Sequence, residues 1–251
     1  MKINAYYRQI WAPTGVDVDI FETTLGGWLE AKAPAVFDKL IQTHETLTED
    51  EATTLLLYIE LQRIRVPRQA ALGLALMQST VVRNLPEWAA RQVASGELQV
   101  HMKDSARFDY MRMATGSIHP WLARMEWEVI SAEQGSQFIT TDSPVCFYNP
   151  SVPPPAEAGV ALAGTKVFFP LSSTHMLLMR HSECRTRPHL EALPELEWDS
   201  IQVQLDRGVV WPRTTVEATN WKIAMLAHEM IAAANSDSLR TTNWKNVASA
   251  A

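Results

Sequence analysis

Residues 125–148 read MEWEVISAEQGSQFITTDSPVCFY, and this stretch marks the change from helical to strand patterning along the chain. Apolar and acidic residues alternate over 125–129, which is the period-two pattern of a strand with one buried face. The next segment, 132–136, contains a glycine and is typical of a hairpin loop. We therefore predict that residues 137–140 return as the antiparallel partner of the first strand.

Three later segments are expected to extend this sheet. They are rich in aromatic and aliphatic residues and cover Val145–Tyr148, Lys166–Leu171 and His175–Arg180. The resulting prediction is a central antiparallel sheet that runs from about Met125 to Trp211. The segment 149–164 begins with prolines and continues in small residues, which predicts a surface loop. Loops of this length are often functional, and an insertion without a function is the alternative.

The chain before residue 120 has mainly helical spacing. Thr48 and Glu51 have the spacing of a capping box, so we predict that a helix begins there. The run that follows is apolar on nearly all sides, which is typical of a buried, central helix. Arg63 falls near the centre of one apolar stripe of this helix, and Pro67 either kinks the helix or begins the next one.

The remaining helical segments complete the predicted fold, and they lie near Glu87–Ala94, Arg107–Thr115 and Val216–Asn235. We expect an α+β fold, in which a mainly helical N-terminal half packs on a central antiparallel sheet and a C-terminal helix closes the structure. A single domain over 1–251 is expected: a helical part to about residue 120, the sheet and closing helix to about residue 235, and a polar tail over 236–251. The alternative is a division into two domains near Ala114–Pro120.

Composition limits the classes of partner. The 251 residues carry a formal net charge of −6, which disfavours broad binding to nucleic acid. Two basic clusters, at 63–68 and 180–189, are compatible with a local anion site or with solvated surface charge.

No apolar run reaches the ~18 residues of a membrane span, so we expect no membrane association. The N-terminus has no apolar signal core, and Cys146 and Cys184 lack CxxC spacing, which predicts a cytoplasmic protein with free thiols.

Several features of the sequence occur together in one protein family. They are a Gln-x-x-Arg-x-Pro at the end of a buried helix, a strand tryptophan, a Phe-Ile-Thr-Thr-Asp-Ser-Pro-Val block, a Phe-Pro-Leu-Ser strand end and an asparagine in the last helix. In this chain these features are Gln62, Arg65, Pro67, Trp127, Phe138–Val145, Phe169–Ser172 and Asn220. The sequence resembles the bacterial and fungal proteins grouped as domain of unknown function 4238, over about residues 20–235.

The resemblance has one departure. Members of that family usually open with a His-x-Val-Pro segment, whereas this chain begins MKINAYYRQIW. The family has no activity that the resemblance could transfer, so it implies a fold and a set of positions rather than a function.

Asp142 and Ser143 are the strongest candidate site residues. They lie where a predicted strand ends in a turn. A rigid sheet holds polar side chains at such a strand end in fixed positions. A structural turn explains the same residues, because Asp and Ser bond to nearby backbone and the following Pro144 ends the ladder. The functional alternative makes Asp142 a general base, a metal ligand or an anchor for a ligand hydroxyl.

Gln62 and Arg65 form the second candidate, since they share a helix face. A buried arginine needs a carboxylate or a phosphate, and our preferred interpretation is an internal Arg65–Asp142 ion pair that joins the helices to the sheet. In the alternative, Arg65 (or Arg63) binds a phosphate or carboxylate of a ligand. His175, at the start of a strand, is the remaining candidate for ligand binding. No metal is implied, because no two histidines share a metal-binding spacing on one predicted helix.

Two functions follow as hypotheses, and neither indicates a cofactor. The favoured one is a cytoplasmic module that binds a small molecule or a protein partner, in a bacterial stress or defence system, because the sequence has no phosphate loop, dinucleotide fingerprint or nucleophile elbow. The alternative is a hydrolase that acts on a phosphorylated or nucleic-acid substrate, with Asp142 as base or ligand and Arg65 holding phosphate. The hydrolase hypothesis predicts that Asp142→Asn abolishes turnover with little loss of folding.

Overall fold

A computed structural model of the chain describes residues 26–42, 45–103, 105–194 and 203–241, together with residues 14, 15, 17, 19 and 23. Its strands are β1 (Glu126–Ala132), β2 (Thr140–Thr141), β3 (Cys146–Tyr148), β4 (Lys166–Pro170), β5 (His175–Arg180), β6 (Gln204–Trp211) and β7 (Ile231–Ala232). Five of them form one sheet in the order β3-β4-β5-β1-β6, and β2 pairs with β7 in a separate two-stranded sheet.

Helices make up most of the described chain before the first strand. A π-helical turn (Gly26–Glu30) is followed by α1 (Ala33–Gln42), α2 (Glu49–Ile64), α3 (Pro67–Arg83), α4 (Glu87–Ser95), α5 (Ala106–Ala114) and α6 (His119–Arg124). After the sheet come α7 (Arg213–Met225) and the short α8 (Ser236–Thr241). The α+β fold expected from the sequence is confirmed.

The sequence signals at the ends of α2 act as predicted. Thr48 accepts from the backbone N–H of Glu51, and the Glu51 carboxylate accepts from the backbone N–H of Thr48, so the capping box is confirmed. Pro67 begins a new helix, because a proline at the first helical position lacks an N–H that would have no partner there.

The sheet is mixed, which corrects the prediction of an antiparallel one. Pairing is antiparallel between β3 and β4, between β4 and β5, and between β5 and β1, but β6 lies parallel to β1. The β1–β6 register shifts by one residue after Glu128, where Val129 faces both Arg207 and Gly208. Gly208 has a φ of +89°, a conformation that other residues rarely adopt.

The predicted hairpin partner of β1 is wrong. A turn does form, since the backbone N–H of Ser136 donates to Glu133 O at 2.9 Å. Residues 137–140, however, leave the sheet, and Thr140 pairs with Ala232 of β7. The neighbours of β1 in the sheet are β5 and β6, and each pairs with β1 over six residue pairs. Both strands are longer than the segment 137–140, which finds no free edge of β1.

The closing helix is shorter than predicted. It ends at Met225 instead of continuing to Asn235. The reason is that the backbone N–H groups of His228, Glu229 and Met230 all donate to the Asp142 carboxylate, so they do not continue a helical ladder. Part of the expected polar tail forms α8, and residues 242–251 lie outside the described residues.

Alternating side chains place two apolar layers on opposite faces of the sheet. On one face, Trp127, Val129 and Leu177 pack with apolar residues of α1, α2 and α6. On the other face, Ile130 and Met176 pack with α7 and with residues 138–139. The sheet is therefore covered on both faces, and polar residues caught between the layers need internal partners.

Candidate functional site

Asp142 binds the chain that follows α7. Its Oδ1 accepts from the backbone N–H of His228 at 2.9 Å, and its Oδ2 accepts from the N–H groups of Glu229 and Met230 at 2.7 and 3.1 Å. The backbone N–H of Asp142 donates in return to Met230 O at 3.1 Å. The carboxylate is thus occupied by backbone donors, which is the geometry of a structural anchor.

Ser143 is buried beside this anchor. Thr141 fixes its backbone, because the Thr141 hydroxyl donates to Ser143 O at 2.9 Å and accepts from Ser143 N at 3.0 Å. The thiol of Cys146 also donates to Ser143 O at 3.3 Å. The Oγ of Ser143 has no hydrogen-bond partner among the described residues, although Ser143 is only 2% exposed.

Arg65 and Gln62 belong to another neighbourhood, and the predicted Arg65–Asp142 ion pair is wrong. Arg65 instead forms an ion pair with Glu30 of the π-helical turn. Gln62 is buried and lies near Tyr58, whose pKa is raised, chiefly by burial. Arg65 is the C-cap residue of α2, and its backbone N–H donates to Leu61 O.

The link between helices and sheet is made by other residues, which we call the Glu157 cluster: Arg63, Arg68, Gln69 and Glu157. Arg63 pairs with the Glu157 carboxylate, Gln69 Nε2 donates to it at 3.0 Å, and Arg68 Nε lies 3.6 Å from it. The side chains of Arg63 and Glu157 are 6% and 8% exposed. This network satisfies the requirement that a buried arginine has an anionic partner.

The Glu157 cluster also holds backbone from three segments. Arg63 Nη1 donates to Val145 O at 3.2 Å, just after the Asp142 turn. Arg68 Nη1 donates to Leu226 O at 2.9 Å, at the end of α7, and Arg68 Nη2 donates to Pro155 O in the β3–β4 loop. Burial beside this cluster raises the pKa of the Cys146 thiol to about 12, so the thiol stays protonated.

Asn220 of α7 fixes the segment that leads into the Asp142 turn. Its Oδ1 accepts from the backbone N–H of Ile139 at 3.1 Å, and its Nδ2 donates to Gln137 O at 2.8 Å. The residue is 1% exposed. One amide side chain thus binds two backbone groups of this segment, which lies outside the five-stranded sheet.

A shallow groove runs beside the same segment. Its volume is ≈ 300 Å³, and its walls are residues 138–140, residues 170–173 at the β4–β5 turn, and residues 232–234. The lining side chains are apolar or carry hydroxyl groups, and none of those in the described chain is charged. Pockets that bind small ligands start at about this size.

His175 lies on the other side of the β4–β5 turn. Its Nδ1 is 3.0 Å from the Thr174 hydroxyl and 3.3 Å from the Ser172 hydroxyl. Burial lowers the pKa of its imidazole. His175 therefore does not join Asp142 and Ser143, and it lines a separate cavity with Arg207.

Sequence reasoning missed Arg68, Gln69 and Glu157. It did place Arg63 in the middle of an apolar stripe, which indicates a buried guanidinium that needs an acid. Glu157 lies in a proline-rich loop without periodicity, so no pattern pointed to it as the partner.

Comparison with known proteins defines the family. The profile of the family described as Protein of unknown function (DUF4238) matches residues 2–243. The chain belongs to this family. Searches of curated proteins and of solved structures found no match.

Two blocks of the DUF4238 resemblance meet at the groove. Residues 138–140 come from the Phe-Ile-Thr-Thr-Asp-Ser-Pro-Val block and residues 170–172 from the Phe-Pro-Leu-Ser block, and they form facing walls. The start of the chain, where the DUF4238 pattern has His-x-Val-Pro, lies outside the described residues.

Two further findings concern the described parts of this DUF4238 protein. None of their helices is long and apolar enough to cross a membrane. Within the same residues, no three His, Cys, Asp or Glu side chains converge as a metal-binding group.

Proposed function

We propose that this protein is a binding module, and that the groove between residues 138–140, 170–173 and 232–234 receives an uncharged ligand with an apolar body and hydrogen-bonding groups. The observation that carries the proposal is a groove of ≈ 300 Å³ at which two sequence blocks of the DUF4238 resemblance lie on facing walls. Asn220 holds the backbone of residues 137 and 139, and the Asp142 anchor holds residues 228–230, which supports a pre-formed site.

The chemistry of the lining selects the ligand class. Phe138, Ile139 and Leu171 offer apolar surface, while the hydroxyl groups of Thr140 and Ser173 offer hydrogen bonds. A charged ligand would give up hydration in this groove without gaining an opposite charge from the described lining residues. An uncharged small molecule is therefore the ligand that the lining favours.

Binding is supported over hydrolysis by the state of the proposed catalytic groups. The Asp142 carboxylate is used by three backbone donors, and Arg65 is paired with Glu30. A general base must reach a substrate proton, and a phosphate-binding arginine must face the same site. The contacts of Asp142 and Arg65 support neither of these two requirements of a hydrolase.

We also propose that the protein is cytoplasmic. Cys146 and Cys184 are free thiols in the structure, which suits a reducing compartment.

The proposal can be tested at the groove itself. Protein with ¹³C-labelled alanine methyl groups would be titrated with adenosine, benzamide and N-acetyl-alanine methylamide, each to millimolar concentration. We expect at least one of these uncharged probes to give saturable shifts at the methyl groups of Ala232, Ala233 and Ala234. Ala94, exposed on α4, should not respond.

A matched pair of variants makes the assignment specific. Ala233→Leu fills the groove and should abolish the shifts, whereas Ala94→Leu adds the same side chain far along the sequence and should preserve them. If none of the three probes perturbs residues 232–234, or if Ala233→Leu binds as well as wild type, the groove is not the binding site and the proposal is wrong.

A further inference from the structure

A second cavity, of ≈ 140 Å³, lies at the end of α1 against the opposite face of the sheet from the groove. It is lined by residues 40–42 of α1, by Val129 and Ser131 of β1, by His175 of β5, and by Arg207 and Gly208 of β6. Three of its polar side chains, Ser131, His175 and Arg207, come from three strands, so the sheet fixes their relative positions.

Arg207 brings a positive charge to the cavity, and no carboxylate of the described residues forms an ion pair with it. Its Nε donates to Leu40 O at 3.1 Å and its Nη2 to Glu45 O at 2.9 Å, both backbone carbonyls. Among the described ion pairs none involves Arg207, and none of the described residues that line the cavity is acidic. A guanidinium has five N–H donors, so these contacts leave Nη1 available to a ligand.

His175 contributes a second donor. Ser172 Oγ accepts from the backbone N–H groups of Thr174 and His175 at 3.2 and 3.0 Å, so its own proton is available for His175 Nδ1. We therefore assign the ring hydrogen of neutral His175 to Nε2. Burial lowers the pKa of the ring, which favours this neutral form. The hydroxyl of Ser131 is a further donor on the same face.

The bulge in β6 explains how Arg207 reaches this position. Val129 of β1 faces two residues of β6, Arg207 and Gly208, and Gly208 has a φ of +89°. A bulge of this kind re-aims a side chain and is frequent next to functional sites. Apart from its chain neighbours, no described residue has a heavy atom within 4 Å of the place that a Cβ at position 208 would occupy. The glycine is therefore required by the backbone conformation and not by close packing.

We propose that this cavity binds a small oxyanion, the phosphate or carboxylate group of a ligand, through Arg207, His175 and Ser131. Hydrogen-bond donors converge there with one net positive charge, and anions are held in proteins by such charge-assisted bonds. The contacts of Arg207 with the carbonyls of Leu40, in α1, and Glu45, after α1, account for two of its N–H groups. They do not account for its remaining donors or for the cavity. This site is separate from the groove, and its test does not depend on the groove binding a ligand.

The test uses inorganic phosphate and acetate as probes, titrated at constant ionic strength against chloride. The readout is the imidazole ¹H–¹⁵N spectrum, in which the His175 signals are assigned by their loss in His175→Gln. We expect a saturable, millimolar-range shift of the His175 signals with phosphate or acetate and none with chloride. A stronger response to phosphate would indicate that the natural ligand carries a phosphate group, and a stronger response to acetate would indicate a carboxylate group.

Two variants remove the site in different ways. Arg207→Gln removes the charge, and Ser131→Leu fills the cavity while it leaves the Arg207 contacts with the Leu40 and Glu45 carbonyls intact. Each should weaken the response at least about tenfold. The matched controls, Arg91→Gln and Ser95→Leu on exposed α4 positions, should bind as wild type does. Absence of a saturable His175 shift, an equal response to chloride, or an unchanged response in Ser131→Leu would each overturn the proposal.

Discussion

Arg63 of α2 and Glu157 of the β3–β4 loop form a buried ion pair that fixes this loop on the helical layer. The Arg63 guanidinium also lies 4.4 Å from the ring centroid of Phe147 in β3. The pair therefore joins helix, loop and sheet through one charged contact. Because Arg68 approaches the same carboxylate, Glu157 balances two positive charges, and its loss would leave both without their anion.

Removal of the Glu157 carboxylate should destabilise the fold strongly. We expect Glu157→Ala to lower the free energy of unfolding by about 3–5 kcal/mol, the usual cost of leaving a buried charge unpaired. Urea denaturation followed by circular dichroism would measure it. Glu191→Ala breaks an exposed pair with Arg187 and should cost less than about 1 kcal/mol.

A double-mutant cycle separates this charge effect from packing. Arg63→Met with Glu157→Leu removes both charges, so the double variant should be more stable than the sum of the two single losses implies. Simple additivity of the two losses would mean that the ion pair does not hold the loop in place.

Asp142 should matter for stability because of its backbone contacts. Asp142→Ala removes the acceptor of three N–H groups, and we expect a loss of about 1–3 kcal/mol. Asp142→Asn keeps one acceptor oxygen and should cost less. Thermal and urea unfolding would rank the two variants against Asp109→Ala, whose carboxylate is 58% exposed. A wild-type midpoint for Asp142→Ala would show that the anchor is not needed.

Local patterns predicted much of the fold. The capping box at Thr48, the helix start at Pro67 and the strands β3, β4 and β5 follow from short-range signals. The pairing of β6 with β1 could not be predicted this way, because strand direction and order depend on contacts distant in sequence. The early end of α7 has the same cause, since Asp142, far away in the chain, binds the N–H groups that would have continued the helix.

The site was predicted in part. A helical pattern identified Arg63 as buried, but it gave no reason to choose Glu157 over Asp142 as an acid partner. The sequence places Arg65 on one helix face with Gln62, which predicts an ion pair with Asp142, but Arg65 pairs with Glu30 instead. The role of Arg207 depends on a bulge, which no periodicity reveals.

Loss of the Asn220 amide should release the segment before the Asp142 turn. Asn220→Ala leaves the buried N–H of Ile139 and the carbonyl of Gln137 without partners, so we expect a loss of about 1–3 kcal/mol. Amide hydrogen exchange should show faster exchange at Ile139 than in wild type. Asn84→Ala, at an exposed helix end, serves as the control. Unchanged protection at Ile139 would contradict the role assigned to Asn220.

His181 should make stability depend on pH. Burial is the largest cause of its lowered pKa, and Arg124 acts in the same direction, whereas the hydrogen bond to Val160 O and the charge of Glu183 oppose it. The unfolded chain then takes up a proton at a higher pH than the folded chain does. The contribution of neutral His181 is present above the unfolded pKa of about 6.5 and is lost as the pH falls below it.

A single substitution isolates this effect. His181→Phe should be less stable than wild type near neutral pH, because Val160 O loses its donor. Because phenylalanine does not titrate, the variant should also lose part of the decline in stability below about pH 6.5. Urea denaturation at a series of pH values measures the slope, which cannot exceed about 1.4 kcal/mol per pH unit for one proton. His228→Gln changes a half-exposed imidazole and should keep the wild-type profile. A variant slope equal to that of wild type would assign the acid sensitivity to other groups, with His175 as the next candidate because burial lowers its pKa as well.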